Sequence, residues 1–541
     1  MYIQISRIKT IATMALAGQM LFTSCTKLKD ENYGQLVSSQ FVPKESDLAA
    51  LVGPAYGTWR DLMMIQTGFF YTQEITADQI VIPARPNGWT DGGLFRRLHM
   101  HQWTTEDDYA ATNWSLAYTG ILNCNRVIYQ IESKAIPIAE GADKLVAELR
   151  ALRASYYYAL IDLYGNVPIV TKFDVPEGYL PEQNTREEVY DFIIIELTEV
   201  LPMLSEEPDA STYGRFNKWA AYTLLAKVYL NGQVYAGRED WDKCMAACDQ
   251  VINSGVYSLE SNHRAAFVTE NQESSEIIFS IPFDEIYAGG FWLHLQTLHP
   301  SNQETFNIST FPWGGDCAIP QFIDTYDPED SRLKEDWLQG QQYSASGEPL
   351  EGVMDLEGEP LEYVNDVPSI DSTTEFSGYR EAKYEYKNGL QFNMSNDVPF
   401  LRYSDVLMMK AECLLRTGRA AEAADIVTEV RERSFPNNPA KAIVTASDLT
   451  AGSKYNYGLR DSKYNWNTSE GGQDIQYGGF LDELGWEFAQ EGRRRQDLIR
   501  FGVFTRKSWL SHSPNGDFRT LLPIPQAEIN KNTNLTQNPG Y

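Results

Sequence analysis

The chain has 541 residues, 43% of them hydrophobic, and its 74 acidic against 45 basic side chains give a formal charge of −29. That length and apolar content specify a globular protein with a large core rather than a disordered chain. The surplus of negative charge repels phosphate backbones and anionic membrane surfaces, so nucleic acid is excluded as an expected partner.

The N-terminus reads as a targeting segment. Arg7 and Lys9 precede IATMALAGQMLFT, an apolar run of 13 residues. As a helix it spans about 20 Å, short of the roughly 30 Å hydrocarbon core, so a signal-peptide core fits better than a spanning anchor. The run ends in LFTSC, which resembles a lipobox with Phe22 in place of the usual Leu. Residues 1–24 are expected to be removed and Cys25 to be lipidated; the alternative is a plain secretory signal with an incidental cysteine. No later segment is long and apolar enough to span a membrane.

Residues 85–93 read RPNGWTDGG. Pro, Asn and Gly mark a turn or loop, yet Trp89 stands in its middle. In LHMH the alternation predicts a short strand with His99 and His101 on one face, a structural pair with no third ligand at metal spacing. Apolar residues at 145, 149, 152, 156, 160 and 163 predict a helix over Leu145–Gly165, stopped at the glycine. REEVYDFIIIELTEVLPML predicts a second helix. NKWAAYTLLAKVYLNGQVYAG and EDWDKCMAACDQVINSG predict a helical pair; SDVLMMKAECLLRTG and RAAEAADIVTEVRERS predict another, joined across Gly418. Ala mixed with large aromatics at packing positions is how tetratricopeptide-like hairpins stack, although the strict repeat signature is not met. From about 257 to 400 the chain turns to Gly, Pro, Asn, Asp and aromatics, with short strands such as EIIFSIPF. Within it, residues 346–375 hold nine acids and no Lys or Arg, which predicts a solvated loop or irregular hairpin. The expected fold is mainly α: a tetratricopeptide-like helical-pair scaffold, about 40–256 and 400–541, with a loop-rich insertion at about 257–400 carrying the ligand site.

No Walker A, GxGxxG, GxSxG or HExxH motif occurs, so nucleotide, serine-hydrolase and zinc-protease chemistry lack a local signal. Carboxylates abound: Asp327, Glu329 and Asp330 in YDPEDSRLKED, Glu487 and Glu491 in EFAQEGRRRQD. A glycosidase needs only two, roughly 5–10 Å apart. A polar turn, and helix-surface ion pairs with Arg493 to Arg495, explain these clusters more simply. Cys124, Cys244, Cys248, Cys317 and Cys413 form no CxxC…CxxC pattern; Cys244 and Cys248 have the look of a metal or redox pair, but they share a helical face with Trp241 and Val251 and read as buried thiols. No metal or cofactor is expected. The aromatics, 12 Trp among them, are more telling. Trp89, Trp292 in YAGGFWLHLQ and Trp313 in STFPWGGDC all stand in loop-like settings. A flat indole matches the C–H face of a pyranose, a contact of on the order of 1–3 kcal/mol by analogy with base stacking. Neighbouring Asn, Asp and Arg can hydrogen-bond ring hydroxyls. The alternative is that each Trp folds back as a local plug.

ADQIVIPARPNGWTDGGLFRRLHMHQWT, LRALRASYYYALIDLYGNVPIV, RYSDVLMMKAECLLRTG, EGRRRQDLIRFG and the terminal LLPIPQAEINKNTNLTQNPGY resemble the SusD/RagB family of Bacteroidetes outer-membrane lipoproteins, in the family's order. KDE at Lys29–Glu31 resembles the surface-export signal of such lipoproteins. The resemblance implies a single domain over 25–541 with four tetratricopeptide-like helix pairs. It implies a lipid-anchored, non-catalytic protein of the outer-membrane surface that binds oligo- or polysaccharide and caps a SusC-like TonB-dependent transporter as its lid. In relatives that bind xyloglucan or another plant β-glucan, three tryptophans form a flat platform, and Trp89, Trp292 and Trp313 fall in the corresponding segments. Asn87, Asp91 and Arg85 flank Trp89 as candidate polar contacts. Two other readings remain: a surface glycoside hydrolase using a carboxylate pair, and a peptide-binding lid of the same family.

Overall fold

The computed structural model describes residues 45–541 apart from Gly88, Ala139, Asp209 and Ala210. The targeting segment and Cys25 lie outside the described residues. Two helical blocks flank a loop-rich stretch. The first holds α1 (Glu45–Met64), α2 (Phe69–Ile75), α3 (Leu94–His99), α4 (Asp108–Glu132), α5 (Ala142–Leu163), α6 (Arg186–Val200), α7 (Lys218–Leu230) and α8 (Trp241–Ser254). The second holds α9 (Tyr403–Arg416), α10 (Ala420–Glu432), α11 (Gly478–Phe488) and α12 (Arg494–Arg500).

Local chemistry sets the boundaries. Thr185 and Glu188 form a reciprocal capping box at the start of α6, and the Asn217 side chain caps α7. Gly255 ends α8 in the left-handed region. Neighbouring helices pack in sequence: α1 on α4, α4 on α5, α5 on α6, then α7 on α8, α8 on α9 and α9 on α10. At the α4–α5 crossing a Cβ on Gly120 would lie 2.3 Å from the Tyr156 ring, so only glycine permits this approach.

The insertion is short strands and turns. β1 (Ile80–Val81), from the first helical block, pairs with β3 (Cys317–Ala318). β2 (Ile277–Ile281) pairs antiparallel with β6 (Val398–Arg402), closing the insertion at its two ends. Inside, β4 (Trp337–Leu338) pairs with β5 (Arg380–Glu381). A last sheet follows α10, in which β7 (Gly458–Asp461) lies between β8 (Trp466–Asn467) and β9 (Trp509–Leu510).

Three expectations are corrected. Of the two forms expected for the acidic stretch 346–375 it takes the irregular hairpin and not the solvated loop: Gly340–Gln341 pairs antiparallel with Glu362–Tyr363, and Leu350, Leu361, Tyr363 and Phe376 form a small core of their own. Glu375, nearly fully buried, accepts backbone N–H bonds from Val353, Met354 and Leu356 and bonds His299. LHMH is no strand: α3 ends at His99, and His101 turns left-handed (φ 49°). Its ring meets that of His512 at 4.0 Å between centroids, a third histidine brought from far along the chain. Burial pushes His99 and His101 down to about 3, so they are neutral packing groups.

The third correction concerns Glu487 and Glu491, which lie in the core rather than on a helix surface. Arg402 donates to Glu276 (2.7 Å), Glu487 (2.8 Å) and Glu491 (2.7 Å), all essentially buried. Arg433 and Arg332 also reach Glu487, and Lys383 reaches Glu491. The arginines of GRRRQD turn elsewhere, Arg493 to Asp405 and Asp497, Arg494 to Asp78, Arg495 to Asp162. Burial alone would raise the Glu487 carboxyl; Arg433, Arg402 and Arg332 outweigh it and hold it well below the usual carboxylate range. Removing one partner of such a network strands the others without water. Glu487→Gln is therefore expected to cost about 3–5 kcal/mol of stability at neutral pH, measured by urea unfolding.

Candidate functional site

Of the twelve tryptophans, eight are buried, Trp89, Trp292 and Trp313 are half-buried, and Trp466 is exposed. The three singled out by their loop settings are thus the three that sit part-way out of the core. They arrive on separate segments that the backbone ties together. The Trp313 N–H donates to the Leu295 carbonyl (2.6 Å), laying the 311–316 segment along the short helix Leu293–Thr297 that follows Trp292. The Asn87 side chain accepts from the Trp89 N–H (2.9 Å) and donates to the Trp313 carbonyl (3.4 Å), joining the first loop to the third. Trp89 packs against the chain at Gly315: a Cβ there would come within 1.8 Å of its six-membered ring. The Phe95 edge buttresses Trp89, with ring centroids 5.9 Å apart.

The rings do not form one plane, contrary to the flat platform expected. Trp292 and Trp313 meet at 72° with centroids 6.5 Å apart. Phe392, which the sequence reading did not select, stands against both at 64° and 62°. It is 45% exposed. It lies in LQFNMSN, a polar stretch next to Asn393, whose carboxamide oxygen accepts from the Trp292 indole N–H (2.8 Å). Three mutually inclined faces make an angular cradle. Beside it the turn Asp284–Ala288 holds Ile286 and Tyr287 out in solvent at 74% and 89% exposure. The Asp284 carboxylate fixes that turn by accepting from both their N–H groups.

The polar candidates divide. Asn87 and Asp91 are exposed, and the Asp91 carboxylate takes no hydrogen bond among the described residues. Arg85 is buried, and its guanidinium is used up on the carbonyls of Gly315, Thr374 and Ser377. Burial beside Arg380 lowers it to about 10, so it stays charged. It anchors the Trp89 loop from beneath, out of reach of a surface ligand. Under the same loop Asp316 and Glu381 are fully buried, and none of their carboxylate oxygens has a hydrogen-bond partner. Burial raises the Asp316 carboxyl, with Arg380 only partly opposing; burial and the Asp316 charge raise Glu381. At neutral pH the pair therefore keeps a proton in the core.

The carboxylate clusters considered for hydrolysis are occupied. Asp327 and Glu329 bind Lys441, and Asp330 binds Arg332. Glu487 and Glu491 are locked in the core network. The five cysteines after Cys25 are all buried free thiols. Among the described residues no group of three His, Cys, Asp or Glu is placed to hold a metal ion.

Residues 59–230 match a SusD-like family model described as starch-binding and associating with the outer membrane, and residues 318–541 match the SusD family model. The starch-binding protein SusD of Bacteroides thetaiotaomicron is 27% identical over 445 residues, covering 73% of this chain and 72% of that one. SusD-like protein P25 of Formosa agariphila is 23% identical over 549 residues, covering 96% and 97%. Among solved structures, a laminarin-binding SusD-like protein superposes with a TM-score of 0.69 at 21% identity, covering 93% of this chain and all of its own. Surface glycan-binding protein A from Bacteroides thetaiotaomicron, in complex with laminarihexaose, gives 0.69 at 20% identity, covering 91% and 99%. These likenesses establish a common fold.

Two substitutions test the site's support. Gly315→Ala should displace the Trp89 ring while the fold survives, seen as a shifted Trp89 resonance in a 5-fluorotryptophan sample with a cost of about 1–3 kcal/mol for the overpacking. Asp316 tests the retained proton. A carboxyl whose folded pKa is raised gives its full stabilisation below its unfolded pKa near ~4 and loses it as pH rises through the folded value. Asp316→Asn should therefore raise Tm relative to the parent at pH 8 and gain much less at pH 4.

Proposed function

The chain belongs to the SusD family, and from that membership and the geometry of the aromatic cradle we propose that it is a non-catalytic glycan receptor. The observation that carries this reading is that the three half-buried tryptophans converge from separate loops, each with part of its ring left toward solvent. An indole held in place by packing and by a bonded N–H offers its face to a sugar at little cost in side-chain entropy. Asn87 and Asp91 stand at the rim to accept and donate to ring hydroxyls. The occupied carboxylate clusters support binding over hydrolysis.

The inclined rings favour a glycan that curves. A β-1,4-glucan backbone such as xyloglucan is ribbon-like and suits a coplanar row of indoles. β-1,3- and α-1,4-glucans coil, presenting successive sugar faces at an angle, as Trp292, Trp313 and Phe392 do. Relatives named for laminarin and for starch bind glucans of those coiled kinds. We assign xyloglucan second place on that ground. Kinship supports the rest of the proposed role: lipid attachment at Cys25, residence on the outer-membrane surface, and delivery of the captured chain to a SusC-like TonB-dependent transporter that this protein would cover as a lid.

In affinity-gel electrophoresis the protein should be retarded by laminarin or amylopectin more than by xyloglucan. Trp313→Ala should weaken that binding by roughly five- to 150-fold with its melting temperature retained, the loss of one aromatic stack of ~1–3 kcal/mol. Unchanged retardation in Trp313→Ala rejects the cradle, and strongest retardation by xyloglucan rejects the curved ligand.

A further inference from the structure

Trp466 is the one exposed tryptophan of the twelve, 43% accessible, and nothing in the cradle accounts for it. It opens β8 after the turn that follows β7, in a hairpin bonded to the 368–371 segment through Ser462 and Tyr464. Its ring stacks on Tyr464, centroids 4.9 Å apart and planes within 29°, and Tyr464 is itself 39% exposed. The pair is not loose. Asn465 between them takes the left-handed conformation (φ 58°) that brings the two rings to one side. The Tyr464 hydroxyl donates to Asp371 (2.7 Å).

Asp371 links this pair to the cradle. Arg96 donates to it at 2.6 Å, and Lys463 lies 3.6 Å away. Asp371 and Arg96, together with Phe95 and Trp89, line one small cavity of about 50 Å³. The strand register agrees: Trp466 pairs with Asp461, whose carboxylate turns inward to Ser369, two residues before Asp371. The linkage runs from Trp89 through the cavity it shares with Arg96 and Asp371 to Tyr464, on which Trp466 stacks. Between two aromatic stations lies a charged pair whose remaining lone pairs and N–H groups suit hydroxyls.

We propose that Tyr464 and Trp466 form a second aromatic contact for sugar residues of the same glycan, beyond Trp89 and bridged to it by Arg96 and Asp371. This rests on the glycan-receptor reading. It makes the protein selective for chain length: a short oligosaccharide fills the cradle alone, whereas a polysaccharide reaches both stations and gains from the linkage.

The test compares Trp466→Ala and the Tyr464→Ala/Trp466→Ala pair with Trp313→Ala, each checked for an unchanged melting temperature. Binding is titrated with laminarin or amylopectin and with laminaritriose or maltotriose. The hairpin variants should lose about five- to tenfold in affinity for the polysaccharide, the scale of one aromatic stack, and keep parental affinity for the trisaccharide. Trp313→Ala should weaken both. Parental polysaccharide affinity in the hairpin variants, or equal losses on both ligands, overturns the second contact and leaves the cradle standing. Loss in the hairpin variants with none in Trp313→Ala overturns the cradle instead. A parent protein that binds none of these glycans overturns both.

Discussion

The buried charge network around Arg402 and Glu487 is the constraint on which the rest of the structure depends. Charges inside a core are tolerated only when each finds partners, and here the partners come from the insertion and the second helical block. Arg402 ends β6, Glu276 precedes β2, Glu487 sits in α11, and Arg332 and Lys383 come from the insertion. Lys383 follows β5, whose Arg380 reaches the Asp316 carbonyl. The Ala318 N–H in turn donates to the Tyr379 carbonyl. The segment carrying Trp313 and Gly315 is thus fixed, in a few covalent and hydrogen-bonded steps, to the ion network of the helical frame. An insertion with little regular structure gains a defined shape because its polar groups have one satisfactory arrangement.

Much of the frame was legible in the sequence, since helices announce themselves locally. The period of apolar residues over 145–163 and the glycine after it reproduce α5 closely, and the Thr185–Glu188 spacing marks the start of α6. What was not legible depends on distant partners. GRRRQD reads as a run of surface charges until Asp78, Asp162 and Asp405 are seen beside it. His512 stands far from LHMH in sequence and against it in space. Arg85 has the sequence neighbours of a ligand contact, but its donors are spent on three backbone carbonyls.

The site divides along the same line. That a Trp among Gly and Asn is not ordinary core could be inferred residue by residue, and Trp89, Trp292 and Trp313 do stand part-way out. The angle between two rings could not, because it is set by Asn393, Phe392 and the Leu295 carbonyl acting across the insertion. The change from a plane to an angular cradle is also what shifts the expected ligand from a ribbon to a coil. Trp466, in DSKYNWNTSE, has the same local setting as the other three. The loop criterion applied evenly would have selected it.

Each of the three half-buried tryptophans is moored separately: Trp292 by Asn393, Trp313 by the Leu295 carbonyl, Trp89 by Gly315 and Asn87. Such modular mooring has an evolutionary consequence. Drift at one anchor can re-aim a single face and leave its neighbours and the frame untouched, so descendants of this chain can move between carbohydrates by small steps without passing through an unfolded ancestor.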